Sequence, residues 1–432
     1  MALNYMGRSR WFLAGFLLSA IVLGSVSVHY RVPLWDAPLA VTKLAAAPVL
    51  GYLRDRDTHD AERQRAGYWV GLEPLPREDG VGSWRRIEKA EPGFRVIDAS
   101  GARTLPAAVP FVYEAADEPY LRQLVETHGL RHVIAGAEDE YDAMLRLGAW
   151  VGGLFDHGAD ALGRQQARIA PVDVIRLGVQ GKKFWCEVAA RLTVHAATAV
   201  GWQARLVTGS KTGYTWDHAV AELWSNQHRK WFVIDADFNV VYETDGVPLS
   251  AFELSRRGPA LQQEHRLRVR AIAPPKPSLP IIDLVPYYEY VHVDLRNDWN
   301  SRFLGIGSPE GGDRNTWWTA RPTLGPVITA KVREDRAERF DWPVNAVSMH
   351  ALGVTRATGG RPVLRVGLAA YSPSFGRFET ALDEGAWVAV PGSDARVPLS
   401  PGRHVLKARV MTDAGFPGPA YSVTFDVGPH PS

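Results

Sequence analysis

The sequence predicts an α+β domain with an antiparallel sheet, followed by an all-β sandwich. Three observations predict it. Helix-periodic segments come first and consecutive strand-like runs follow, the order of an α+β fold rather than a doubly wound one. After a proline-rich stretch, short strands recur at intervals of about 8–12 residues, separated by turn residues, as in a sandwich. Glycine and proline number 40 and 30 in 432 residues, which supplies many turns.

The elements follow in chain order. Residues 11–28 carry no charge and follow Arg8 and Arg10. A run of this length is close to the minimum for a spanning helix. Basic residues before it keep that end in the cytoplasm. The expectation is a single-pass anchor over residues 1–30 in a bacterial inner membrane, with the remaining domains in the periplasm. A cleaved signal peptide fits the same charged start and apolar middle, with Ser25-Val26-Ser27 as a weak cleavage site. Residues 31–116 then read as a stalk, interrupted by Pro33, Pro38 and Pro48, and a β-rich lead-in. Its strand-like runs, Tyr68–Val70, Phe94–Ile97 and Phe111–Tyr113, lead toward the next domain.

The α+β domain spans 117–273. Asp117 offers an N-cap, Pro119 a first turn and Gly129 a stop. A second helix runs from Glu138 to Phe155, with Tyr141, Leu145, Gly148, Val151 and Phe155 on one face. A third, alanine-rich helix spans Trp185–Val200 and stops at Gly201. Strands follow at Trp202–Thr208, His218–Ser225 and Lys230–Ala236. Residues 274–325 open on Pro274, Pro275, Pro277 and Pro280, a stiff extended linker, and continue as an aromatic, turn-rich passage. Residues 326–432 hold the sandwich strands, among them Val363–Leu368, Phe375–Ala381, Trp387–Val390, His404–Val410 and Ser422–Val427.

Composition excludes several functions. The net charge of +2 is too balanced for a nucleic-acid binder. A single cysteine, Cys186, allows no intrachain disulfide and no multi-cysteine metal site. The zinc-protease, P-loop, nucleophile-elbow and dinucleotide signatures are all absent, and no EF-hand run suggests calcium. No cofactor and no metal are expected.

The chemistry concentrates between Gly181 and Asn239. Cys186 lies in the opening turn of the third helix, where unpaired N–H groups and the helix dipole favour a thiolate. Lys182 and Lys183 act in the same direction. His218 starts one strand, and Asp235 ends the next. If Asn226–Arg229 closes a tight hairpin, Val220 pairs with Asp235 and His218 with Asp237, all four side chains on one face. Either carboxylate then holds the imidazole, and a one-residue slip would undo the arrangement. Thiolate, imidazole and carboxylate form a nucleophile–base–orienter set. The Cys186 N–H is the natural oxyanion donor. Trp150 and Trp185 read as packing, and Arg205 and Glu222 as structural ion-pair or surface residues.

Four blocks in this order resemble the core of the transglutaminase-like superfamily, which shares a papain-like fold. They are Phe184-Trp185-Cys186, Gly201-Trp202-Gln203-Ala204-Arg205, His218-Ala219-Val220-Ala221-Glu222-Leu223-Trp224 and Lys230–Asp235. The Arg146–Val151 helix also resembles the one that precedes the family's cysteine. The resemblance covers Asp117 to Leu254. It implies Cys186 as nucleophile, His218 as base and Asp235 as orienter, with no cofactor. It departs from the family pattern in two places. The glycine usual just before the cysteine is displaced to Gly181, and the usual Asp-Pro is Asp235-Ala236, which leaves Asp237 as a competitor. The implied activity is attack on a protein or peptide amide through a thioester. Hydrolysis is favoured over transamidation, as in many bacterial members. The sandwich is expected to be immunoglobulin-like. The rival reading is a non-catalytic envelope scaffold that binds polysaccharide or protein, as in exopolysaccharide assembly, with Tyr371 and Trp387 as candidate contacts.

Overall fold

In the computed structural model, the described residues are 68–71, 80–102, 111–159, 169–211, 217–279, 283–300, 316–319, 332–333, 336–357 and 361–428. The expected anchor, its cleavage site and most of the stalk lie outside them. Among the described residues no helix is long and apolar enough to cross a membrane.

The lead-in departs from expectation. Strand β1 (Trp69–Gly71), helix α1 (Gly80–Ala90) and strand β2 (Phe94–Asp98) do not lead into the next domain. They join the C-terminal sandwich. Helix α1 stands where only strands and turns are expected, and Gly80 and Gly82 open it. Yet Trp84 and Ile87, three residues apart, are buried on one face against the sandwich. Gly80 has to be glycine, since a Cβ there would meet the Ala102 carbonyl at 1.8 Å. Phe111–Tyr113 forms no strand, only a bridge from Val112 to Arg296.

The α+β core begins with α2 (Pro119–His128). Its N-cap is Glu118 rather than Asp117, because Pro119 at N1 sets the boundary one residue later. Gly129 closes it in the left-handed region at φ 62°. A short α3 (Leu130–Val133) follows. Helix α4 (Glu140–Gly152) is capped by Asp139, whose carboxylate accepts from the Asp142 N–H. Helices α5 (Pro171–Val179) and α6 (Cys186–Val200) complete the layer, and Gly201 ends α6 at φ 103°. Thirteen of the 15 residues of α6 are buried, so it is the central helix of the core.

Strands β3 (Ala204–Ser210), β4 (His218–Ser225) and β5 (Lys230–Ile234) follow as a meander. The β4–β5 register matches Leu223 with Phe232 and Ala221 with Ile234, the pairing expected from the tight connection. A small sheet of β6 (Val240–Thr244), β7 (Val247–Pro248) and β8 (Arg268–Ala271) encloses α7 (Ala251–Gln263). Strands β9 (Tyr290–Val293), β10 (Thr316–Thr319) and β11 (Val332–Arg333) come from the aromatic passage. They extend the core into a six-stranded sheet in the order β11-β10-β9-β3-β4-β5. All its pairs are antiparallel except β10–β11. Alternation along β4 sends Ala219, Ala221 and Leu223 toward α6. Val220 and Trp224 face a second core with Trp231, Val233 and Trp342.

Arg205 and Glu222 are wholly buried as a structural pair, Nη2 to Oε2 2.5 Å. The guanidinium lies between the Trp231 and Trp342 rings at 4.3 and 4.4 Å. Such a pair is retained only when its lone pairs are filled. Here Glu222 Oε1 also accepts from the Ala251 N–H.

The remaining strands are β12 (Ala346–Arg356), β13 (Pro362–Tyr371), β14 (Phe375–Leu382), β15 (Val388–Val390), β16 (Asp394–Pro398), β17 (Gly402–Thr412) and β18 (Tyr421–Val427). They form two sheets, β1-β13-β12 with β16 beside β13, and β15-β14-β17-β18-β2. Their inner faces enclose one apolar core. Tyr371 is buried, and Trp387 is half-buried with the Arg409 guanidinium 4.1 Å over its ring.

Candidate functional site

The site forms where the N-terminus of α6 meets the start of β4 and the end of β5. Cys186 is the first residue of α6 and half-buried. The side chain of Trp185, the N-cap, accepts nothing from the first turn, so the opening N–H groups of the helix have no side-chain cap. His218 opens β4 and is buried. Its Nε2 lies 2.7 Å from Asp235 Oδ2, and Asp235 is fully buried. The ligand atoms of Cys186, His218 and Asp237 all lie within 4.8 Å of one another.

The competition between the two aspartates is resolved by the turn after β5. Asp235 Oδ1 accepts from the N–H groups of Asp237 and Phe238, at 3.1 and 3.0 Å. That leaves Oδ2 aimed at His218. Asp237 is held elsewhere: His157 Nδ1 is 2.8 Å from its Oδ2, and Lys276 Nζ is 3.5 Å from its Oδ1. Asp235 holds the imidazole; Asp237 faces the sulfur side of the site.

Burial pulls the His218 pKa down. The adjacent Asp235 charge and hydrogen bond, with Cys186 on the other side, outweigh it and hold the imidazole well above its ordinary value. Phe238 and Tyr287 stand edge-on to the ring at 5.3 and 5.6 Å, fixing its plane. With Nε2 on Asp235, Nδ1 is the nitrogen that serves Cys186.

Glycines let α4 approach this turn. A Cβ at Gly152 would meet Asn239 Oδ1 at 1.7 Å, and one at Gly148 would meet Ile234 Cγ2 at 2.6 Å. Asn239 in turn donates from Nδ2 to the Pro274 carbonyl.

Residues 274–279, read as a linker, are a strap across this end of the core. Ser278 Oγ reaches Asp156 Oδ1 at 2.6 Å and the His157 carbonyl at 2.8 Å. Between these anchors Lys276 is buried, 4.7 Å from the Phe155 ring centre. Burial lowers the Lys276 pKa, and Asp237 opposes that shift. Lys183, expected to act on Cys186, instead pairs with Asp156 at 2.9 Å, and Lys182 is exposed. Trp150 packs beside the apolar core, as does the Trp185 side chain. Sequence reasoning missed His157 and Lys276. Only the prolines on either side of Lys276 hinted that its backbone was rigid.

Cys186, His218 and Asp237 also offer a donor set of the kind metals use. The Lys276 ammonium beside Asp237 occupies the place of a cation there, so the residues fit a metal poorly.

Residues 129–236, which contain Cys186, His218 and Asp235, match the sequence model of the transglutaminase-like superfamily. That segment is transglutaminase-like; Asp237 lies just beyond it and Lys276 well beyond it. Among solved structures, a Cytophaga hutchinsonii protein provisionally named a cysteine protease is similar at 19% identity, over 28% of this chain and 41% of its own, with TM-score 0.22. A red sea bream transglutaminase is similar at 11% identity, over 83% of this chain and 64% of its own, with TM-score 0.27. The chain thus spans less than two thirds of either. No curated protein matches.

Proposed function

We propose that the protein is a cysteine enzyme acting on protein or peptide amides through a thioester, with Cys186 as nucleophile, His218 as base and Asp235 as orienter. The observation that carries this reading is the His218–Asp235 contact at 2.7 Å beside a cysteine at a helix N-terminus. His218 takes the Cys186 proton as the sulfur attacks the carbonyl carbon. The Cys186 N–H stabilises the developing oxyanion. The C–N bond breaks, and His218 returns the proton to the leaving amine. Water, deprotonated by His218, then splits the thioester to a carboxylate and the free thiol. Hydrolysis is proposed over transamidation on the resemblance to bacterial hydrolytic members. A single-pass envelope anchor, periplasmic domains and an immunoglobulin-like character for the sandwich belong to the same proposal. The scaffold reading gains no support from Tyr371, which is buried, or from Trp387, which lies under Arg409.

The test incubates the full chain with glutamine-containing peptides and follows ammonia and new carboxylate, with and without a primary amine. Ammonia release that disappears in Cys186→Ala supports the reading. Absence of both ammonia and a Cys186 acyl adduct by mass spectrometry overturns it. Amine incorporation in place of carboxylate would reassign the second step to transamidation.

A further inference from the structure

Asp237 presents a difficulty that the proposed triad does not remove. Its carboxylate is 1% exposed, and an oxygen of it lies within 4.8 Å of the ligand atoms of both Cys186 and His218. A buried negative charge at that range opposes the formation of a second one on the sulfur. Asp235, which orients His218, adds more negative charge to the same end of the core. The site needs a countercharge on the far side of Asp237.

Lys276 stands there. Its ammonium is buried beside Asp237 Oδ1, and neither atom has a hydrogen-bond partner among the described residues. Two unsatisfied polar atoms facing one another at 3.5 Å form a charge pair without a full hydrogen bond. The backbone holds Lys276 in this position. Pro275 and Pro277 flank it and restrict the chain to extended geometry. The Ile272 N–H donates to the Asn239 carbonyl, Asn239 Nδ2 to the Pro274 carbonyl, and Ser278 Oγ to Asp156 and His157. His157 contacts the other oxygen of Asp237 and is one-third exposed. The charged and titratable groups around Asp237 are therefore Cys186, His218, Asp235, His157 and Lys276, with the Asp156–Lys183 pair behind.

We propose that Lys276 is a positioning residue for the cysteine chemistry: carried into the site by the proline strap, it neutralises and anchors Asp237, so that a thiolate can form at Cys186. This rests on the reading of Cys186 and His218 as nucleophile and base. It adds a requirement that lies outside the family-matched segment. Lys276 acts through Asp237, so its contribution vanishes when the Asp237 charge does.

The experiment measures the second-order rate of iodoacetamide alkylation of the full chain at a fixed pH near 6. Cys186 is the one cysteine, so the signal is unambiguous. Five proteins are compared: wild type, His218→Ala, Lys276→Met, Asp237→Asn and the Lys276→Met/Asp237→Asn pair. Methionine keeps the length and the packing on Phe155. Lys276→Met is expected to slow alkylation about tenfold or more, from an uncompensated like charge at this range. The double variant is expected to return to within about threefold of wild type, which a merely structural lysine would not do. An unchanged rate in Lys276→Met overturns the proposal, and so does a fall that Asp237→Asn fails to rescue. If Lys276→Met does not fold, Asp237→Asn alone decides. A rate equal to or above wild type supports the proposal, and a tenfold fall overturns it. An unchanged rate in His218→Ala instead sinks the reading of His218 as base, whatever Lys276 does.

Discussion

A carboxylate stands at each end of the β4–β5 hairpin, half-buried Glu140 at one and buried Asp235 at the other, and the two ends are built differently. At the turn, Glu140 from α4 accepts from Ser225 Oγ, Asn226 Nδ2 and the Gln227 N–H. Around it the Gln227 side chain bonds Asp139 and the Tyr141 N–H. Both Glu140 oxygens have donors, and no side-chain atom of Glu140 is left over. At the open end, Asp235 also takes three hydrogen bonds. Beside it, however, Asp237 Oδ1 and Lys276 Nζ remain unsatisfied. A polar cluster that only holds a turn fills its carboxylate, even where a ring nitrogen, here His228 Nε2, is left over. One arranged for chemistry keeps unsatisfied atoms close together and tolerates the strain.

The largest expected effect breaks the contrast outright. Cys186→Ala should abolish amide turnover and leave the circular dichroism spectrum and melting temperature close to wild type. Asp235→Asn should lower kcat about 10³–10⁴-fold by releasing the His218 tautomer, with little change in KM. The matching change at the other end, Glu140→Gln, should leave kcat within about threefold and cost about 1–3 kcal/mol in urea unfolding. If Glu140→Gln abolished turnover in a stably folded chain, the two ends would not differ as described.

Gly152→Ala sharpens the contrast through α4, which touches both ends. The added methyl strikes Asn239, so about 1–3 kcal/mol should be lost together with activity. Denaturation and peptide turnover on the same sample would check this. The smallest effect is in pH dependence. The folded His218 pKa is raised, so its contact with Asp235 stabilises fully below the unfolded imidazole value of about 6.5. That contribution fades as pH rises through the higher folded value. The melting-temperature gap between wild type and His218→Gln should therefore be widest near pH 6 and narrow in alkaline buffer.

Local signals carried most of the core and brought the proposed triad residues together. The stop at Gly201, the short Asn226–Arg229 connection and alternation along two strands were enough to set His218 and Asp235 on one face. What failed depended on partners distant in sequence. Nothing local shows that Phe94–Asp98 pairs with Tyr421–Val427, or that Lys276 folds back onto Asp237. Four helices went unpredicted, α1, α3, α5 and α7, and two of them show why. Helix α1 hides behind an opening glycine pair. Helix α7 was announced by a capping box, Ser250 with Glu253, but Gly258 and Pro259 interrupt its pattern.

The pairing of β1 with β13 and β2 with β18 makes the α+β core an insertion between β2 and β12 of the sandwich. Synthesis runs from the N-terminus, so β1, α1 and β2 emerge long before their partners exist. The core emerges in the meantime, while the early strands wait with open edges. Closure of the sandwich then depends on the final strand, Tyr421–Val427. A nascent chain stalled or clipped before Tyr421 would carry the Cys186 helix on a body whose β2 edge is unpaired. Chaperones and proteases would meet that edge first.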